Sequence, residues 1–178
     1  MKFLIASDLH GSSYYAKEII SVLEREQADM LILLGDVYNH GPRNPLPKDY
    51  APMEVASLLN EITDRLLVIK GNCDSEVDTM ISKFSFVDNS VIVSGGKKVF
   101  LTHGHVFNKD NLPSTNFDAI IYGHFHTGFV EKQGEMTIAN AGSLSLPKGG
   151  TPISYLTLED KILTLKELSG KVISETKI

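Results

Sequence analysis

The chain has 178 residues, 42% hydrophobic and 22% charged, which suits one domain over residues 1–178 with a sizeable core. Its formal net charge of -5 argues against a broad phosphate-neutralising face and so against an extended nucleic-acid surface, while leaving room for a small anionic substrate held by bound cations. The lone cysteine, Cys73, can form no internal disulfide, and the longest apolar runs fall far below the roughly 20 residues that span a bilayer; a soluble, cytoplasmic protein without a membrane partner is expected.

In chain order, "FLIA" (3 to 6) reads as a strand. A helix follows, with its start at Ser12 or Ser13 and a buried face of Ala16, Ile19, Ile20 and Leu23. A second strand, "MLILL" (30 to 34), leads into "VYNHGPRNPLPKDYAP" (37 to 52), a loop holding four of the seven prolines. A loop this long inside a domain is functional or mobile. A second helix after Pro52 spaces Val55, Leu58, Leu59 and Ile62 along one face, and "LLVI" (66 to 69) is a third strand. Continuous apolar strands joined through helices imply a parallel sheet covered on both faces. The second half changes character. Hairpins are expected around Gly95 and Gly96 and around Gln133 and Gly134, with a strand "AIIY" (119 to 122) between them and a meander over 154 to 177. The architecture is then an α/β sandwich with mixed sheets.

The residues just past each apolar run are more telling. Asp8 and His10 come after the first strand, Asp36 after the second and Asn72 after the third; His103 comes after "VFLT", and His124 and His126 after "AIIY". Ligands bind at the carboxyl ends of strands in open α/β sheets because the loops there converge, and all five ends are expected at the edge of one sheet. Carboxylate, amide oxygen and imidazole together suit Mn, Fe, Co, Ni or Zn. Seven candidate ligands are too many for one ion and fit two that share a carboxylate.

The ordered motifs "DLH", "GDV", "GNCD", "THGH" and "GHFH" resemble those of the calcineurin-like metallophosphoesterase superfamily, and "GDVYNHGPRNPLP", "GNCDSEVD" and "NAGSLSLPKGG" extend the resemblance to its bacterial YfcE-type phosphodiesterases. The resemblance implies a four-layer α/β sandwich with two mixed β-sheets flanked by helices. It also implies two divalent ions per chain, usually manganese, activating water against a small phosphodiester. By motif, one ion takes Asp8, His10, Asp36 and His126; the other takes Asp36, Asn72, His103 and His124, with Asp36 as the bridge. Asp36, Asn72 and His103 thereby belong to the catalytic set.

Cys73 stands where most of the superfamily has a histidine thought to protonate the leaving oxygen. It is either a small residue fitting a tight turn or a weak proton donor, with Asp74 left to orient a neighbouring group and His105 a possible substitute donor. Arg43, Asn39 and His40 in the long loop are the candidate phosphate contacts, with Lys148 behind them. Related proteins suggest a homo-oligomer. The rivals are a phosphomonoesterase and a scaffold resembling the retromer subunit of the same superfamily.

Overall fold

The computed structural model describes all residues 1–178. The apolar runs form the expected strands, β1 (Lys2–Ala6), β2 (Met30–Leu33) and β3 (Leu66–Ile69), which pair in parallel with a short β4 (Phe86–Val87). The C-terminal meander, β10 (Ser154–Glu159), β11 (Ile162–Glu167) and β12 (Val172–Lys177), adds antiparallel beside β1 and completes a seven-stranded sheet in the order β12-β11-β10-β1-β2-β3-β4. A second sheet holds β5 (Asn89–Ser94), β6 (Lys97–Thr102), β7 (Ala119–Tyr122), β8 (Phe129–Gln133) and β9 (Met136–Asn140) in the order β5-β6-β7-β9-β8. Both expected hairpins are present, as β5-β6 and β8-β9.

The continuity of the apolar runs follows from their being buried on both faces. Alternate residues of a strand point to opposite sides. Leu4, Ala6, Leu31 and Leu33 join a core with the helices, whereas Phe3, Ile5, Ile32 and Leu34 join a second core against Val99, Leu101, Ile121 and Ala139 of the other sheet. One face of the first sheet is therefore covered by helices and the other by a sheet. The outer face of the five-stranded sheet packs Phe100, Ile120, Tyr122 and Ile138 against Phe107 and Phe117. The outermost layer there is irregular chain, and it completes the sandwich without a helix.

Helix α1 (Ser13–Arg25) is capped by Ser12, whose hydroxyl accepts from the Tyr15 amide (3.3 Å). Its buried face is Ala16, Ile19, Val22 and Leu23; Val22, three residues on from Ile19, takes the buried place expected of Ile20. Helix α2 (Pro52–Asn60) starts with Pro52 and buries Val55, Ala56 and Leu59. Leu58 and Ile62 are only partly buried, since the helix stops before Ile62 and turns it to the margin of the core.

Candidate metal centre

The five strand ends converge as the sequence implied, with one correction. They belong to two sheets. β1, β2 and β3 deliver Asp8, His10, Asp36 and Asn72, while β6 and β7 of the second sheet deliver His103, His124 and His126. The carboxyl ends of both parallel sets open on the same side, so the loops of two layers meet over one crevice.

Bringing side chains inward from so many short loops requires unusual backbone. Asp8, His10, Asp36, His124 and His126 all have positive φ, between 51° and 64°, a region that non-glycine residues enter rarely and that clusters at functional sites. The glycines before the ligands answer a separate need. A Cβ at Gly71 would collide with the Asp36 carboxylate and amide, and one at Gly123 with Ser7 and Asp8.

Three imidazoles are fixed from behind. His10 Nδ1–H donates to the Asn39 carbonyl (2.8 Å), His103 Nδ1–H to Leu34 (2.6 Å) and His126 Nδ1–H to Leu146 (2.6 Å). A carbonyl can only accept, so each ring holds a proton at Nδ1 and turns its Nε2 inward. His10 Nε2 and His126 Nε2 face each other at 3.1 Å, with Asp8 Oδ1 at 3.5 and 3.2 Å from them. That oxygen is buried without a hydrogen-bond donor, because the His124 amide is bound to the other one, Oδ2 (2.9 Å). Three polar atoms thus point at one another, an arrangement that demands a proton or a cation among them. A second group lies beside it: His103 Nε2 is 3.0 Å from Asn72 Oδ1, 3.3 Å from His124 Nδ1 and 3.5 Å from Asp36 Oδ1. Asp36 Oδ2 sits 3.8 Å from His10 Nε2, so this carboxylate presents one oxygen to each group.

The electrostatics agree. Burial would raise the Asp8 carboxyl, but His10 and His126 hold it well below the usual range. Burial likewise opposes ionisation of Asp36, and His103 overcomes it. His103 is pulled down by burial and pushed up more strongly by Asp36 and Asp8, to about 9. The cluster is built for ionised carboxylates around positive charge.

A cavity of about 920 Å³ opens over the centre, lined by Asp36, Asn72, Cys73, His124 and His126 together with Asn39, Arg43, Lys148 and Phe125. Arg43, Asn39 and Lys148 thus stand where a substrate could reach them. His40 does not line the cavity; its ring packs edge to face on Tyr50, 5.3 Å between centroids. His105 lies 5.4 Å from the His103 ring but faces a smaller neighbouring pocket with Lys70 and Asp88. Asp74 is buried with its oxygens already engaged: Oδ2 accepts from the amides of Gly71 (2.7 Å) and Asp36 (2.8 Å), and Oδ1 from Val37 (2.8 Å). It clamps the turns that carry Asp36 and Asn72 and has no contact with the neighbouring thiol to orient. Cys73 donates its amide to Asp36 Oδ1 (2.8 Å), and burial together with Asp36 pushes its thiol up to about 12.

The matching family model, the calcineurin-like phosphoesterase superfamily domain, covers residues 1–161. The chain belongs to the calcineurin-like phosphoesterase superfamily. It is 42% identical to phosphodiesterase YfcE of Escherichia coli K12 over 175 residues, covering 97% of this chain and 95% of that one. The solved structure of YfcE, described as a phosphoesterase, superimposes with a TM-score of 0.96 over all of both chains. Probable metallophosphoesterase YsnB of Bacillus subtilis is 30% identical across 93% of this chain and 89% of its own. Vps29 of Entamoeba histolytica shares the fold at 20% identity, TM-score 0.67. Divalent metal is the cofactor this family implies, and the donor set fits it.

Beyond Lys148, sequence reasoning gave no role to the side chains of the segment that begins at the end of β9, although they support the centre. Ser143 and Ser145 hydroxyls both donate to the Asp8 carbonyl (2.8 and 3.0 Å), Asn140 Nδ2 donates to Gly123 (2.6 Å), and Leu146 supplies the carbonyl that orients His126. The advance signal was the stretch "NAGSLSLPKGG", which carried the resemblance and starts at a strand end. Phe125, half exposed at the cavity wall between two histidines, was also passed over.

Proposed function

We propose that this chain is a phosphodiesterase that works with two divalent ions, manganese being the first choice, on a small phosphodiester. The observation that carries the reading is the convergence of His10 Nε2, His126 Nε2 and Asp8 Oδ1 within 3.5 Å of one another, beside a second group that shares Asp36. The residues that would hold one ion are Asp8, His10, Asp36 and His126, and those for the other Asp36, Asn72, His103 and His124. When bound, two such ions supply an activated water and neutralise charge on the phosphoryl oxygens. The chain's own part is positional. Nδ1–H bonds to Asn39, Leu34 and Leu146 lock three rings, and Asp74 seats the Asp36 turn. The Arg43 guanidinium at the cavity wall is suited to grip phosphoryl oxygens through its planar fork, with Asn39 and Lys148 nearby. The Cys73 thiol at the cavity wall, standing where the resemblance expects a histidine, is a weak proton donor, which favours esters whose alcohol departs unaided. A cavity lined by this free thiol suits a reducing, cytoplasmic setting.

A non-catalytic scaffold on the same fold has no use for a substrate-sized cavity over these ligands, and the 42% identity to a phosphodiesterase over 97% of the chain favours the enzyme. The test is metal content and turnover in one preparation. Manganese-saturated protein should hold two ions per chain and hydrolyse bis(4-nitrophenyl) phosphate faster than 4-nitrophenyl phosphate. Asp36→Asn should lose both properties together. One ion or fewer after saturation overturns the dinuclear assignment; no diester hydrolysis by the doubly loaded protein overturns the activity, and a preference for the monoester reverses the substrate class.

A further inference from the structure

We infer that Phe125 selects the substrate, by stacking on a planar aromatic group carried by the ester arm that stays on the product. The inference rests on the phosphodiesterase reading and adds to it a substrate class: diesters whose retained arm places an aryl or nucleobase ring next to the phosphate.

Phe125 lies between His124 and His126, so its backbone is one residue from each of two centre histidines. Its amide donates to the Gly123 carbonyl (2.7 Å), closing a three-residue turn on His124, whose φ is 64°. Such a γ-turn is tight and strained, and it fixes where the next side chain leaves the backbone. The ring is then set by two perpendicular neighbours, His124 at 5.1 Å (81°) and Tyr122 at 6.0 Å (72°). Held this way, the residue is nevertheless 46% exposed, and it lines the cavity. From another loop the same cavity receives Pro42, Pro45 and Arg43, flat or planar groups that also suit the face of an aromatic ring. A rigid, water-facing aromatic side chain beside a phosphate centre offers sequence-tolerant stacking, because every base and aryl group has a π face.

The test varies only the retained arm. Methyl, phenyl and thymidine-5′ esters of 4-nitrophenyl phosphate share one leaving group: water oxygen bonds to phosphorus, the bond to 4-nitrophenolate breaks, and the arm stays on the product. We expect kcat/KM for the phenyl and thymidine esters to exceed that for the methyl ester by about tenfold, chiefly through KM, as one stacked ring allows. Phe125→Leu, which keeps apolar bulk, should collapse the ratio toward one, and Phe125→Trp should restore it. Manganese content is measured in each protein. A ratio near one in the parent, or a ratio that survives Phe125→Leu, overturns the inference while leaving the phosphodiesterase reading in place. A gain confined to the thymidine ester identifies nucleotides as the source of the ring; equal gains identify aryl esters generally. No turnover of any ester overturns the functional reading and takes this inference with it.

Discussion

At the scale of single residues, Cys73 is held by its backbone, while its sulfur accepts one hydrogen bond from Asn72 Nδ2 (3.4 Å). The amide of residue 73 donates to Asp36 Oδ1, and this bond survives any side-chain change short of proline. Burial and the Asp36 carboxylate push the thiol up to about 12, against a thiolate nucleophile, and a thiol is in any case a poorer proton donor than an imidazolium. Cys73→Ala should therefore keep its metal and most of its turnover of nitrophenyl diesters. For the same reason the parent should depend steeply on leaving-group acidity, and Cys73→His should flatten that dependence by supplying an imidazole near the departing oxygen. Rates across a series of aryl and alkyl diesters, with metal content checked, decide the matter. Loss of all turnover in Cys73→Ala with both ions bound would make the thiol a catalytic group.

At the scale of elements, two carboxylates, Asp74 buried and Glu26 partly buried, tie segments together. Asp74 joins the turn after β2 to the turn after β3 by accepting three amides. Asp74→Ala strands all three donors and should cost on the order of 3 kcal/mol in urea unfolding, with Asp74→Asn costing less because one acceptor oxygen remains. Glu26, at the end of α1, accepts from Lys2 of β1 (3.0 Å), Tyr155 of β10 (2.8 Å) and Lys166 of β11 (2.9 Å). Burial would raise this carboxyl, and Lys166, Tyr155 and Lys2 instead bring it down from an ordinary 4.5 to about 2. A carboxylate depressed in the folded state contributes stability that is complete above 4.5 and disappears as pH falls toward 2. With allowance for solvent screening, the contribution is about 2 to 3 kcal/mol. Glu26→Gln should then show a shallower fall in urea midpoint between pH 5 and pH 2 than the parent; identical slopes would remove Glu26 from the acid response.

At the scale of the whole molecule, the strands and most of the centre were legible because burial on two faces writes a continuous apolar run, and each run ends in a ligand. Two mixed sheets were expected, but which ligand-bearing strands fall in which sheet was not legible. β6 and β7 carry the same signature as β1 to β3, and which strand lies beside which depends on contacts far apart in sequence, such as Leu4 on Leu31 and Phe100 on Ile120. Nor could the sequence reveal that His40 turns to Tyr50 or that Asp74 serves the backbone, since either residue type in a loop is compatible with both uses. Seen whole, four of the proposed ligands hang from one sheet and three from the other, and these two sheets share no ladder of hydrogen bonds. A pair of ions set among them would act as a rivet through two plates. Chelation should then loosen the join, with amide exchange quickening at Leu34 and Tyr122, at the ligand-bearing ends of β2 and β7, more than at the opposite ends of the same strands. Equal exchange along the strands with and without metal would deny the rivet. If it holds, the ions that act on the substrate also fasten the body of the enzyme, and starvation for metal would soften the protein before it merely silenced it.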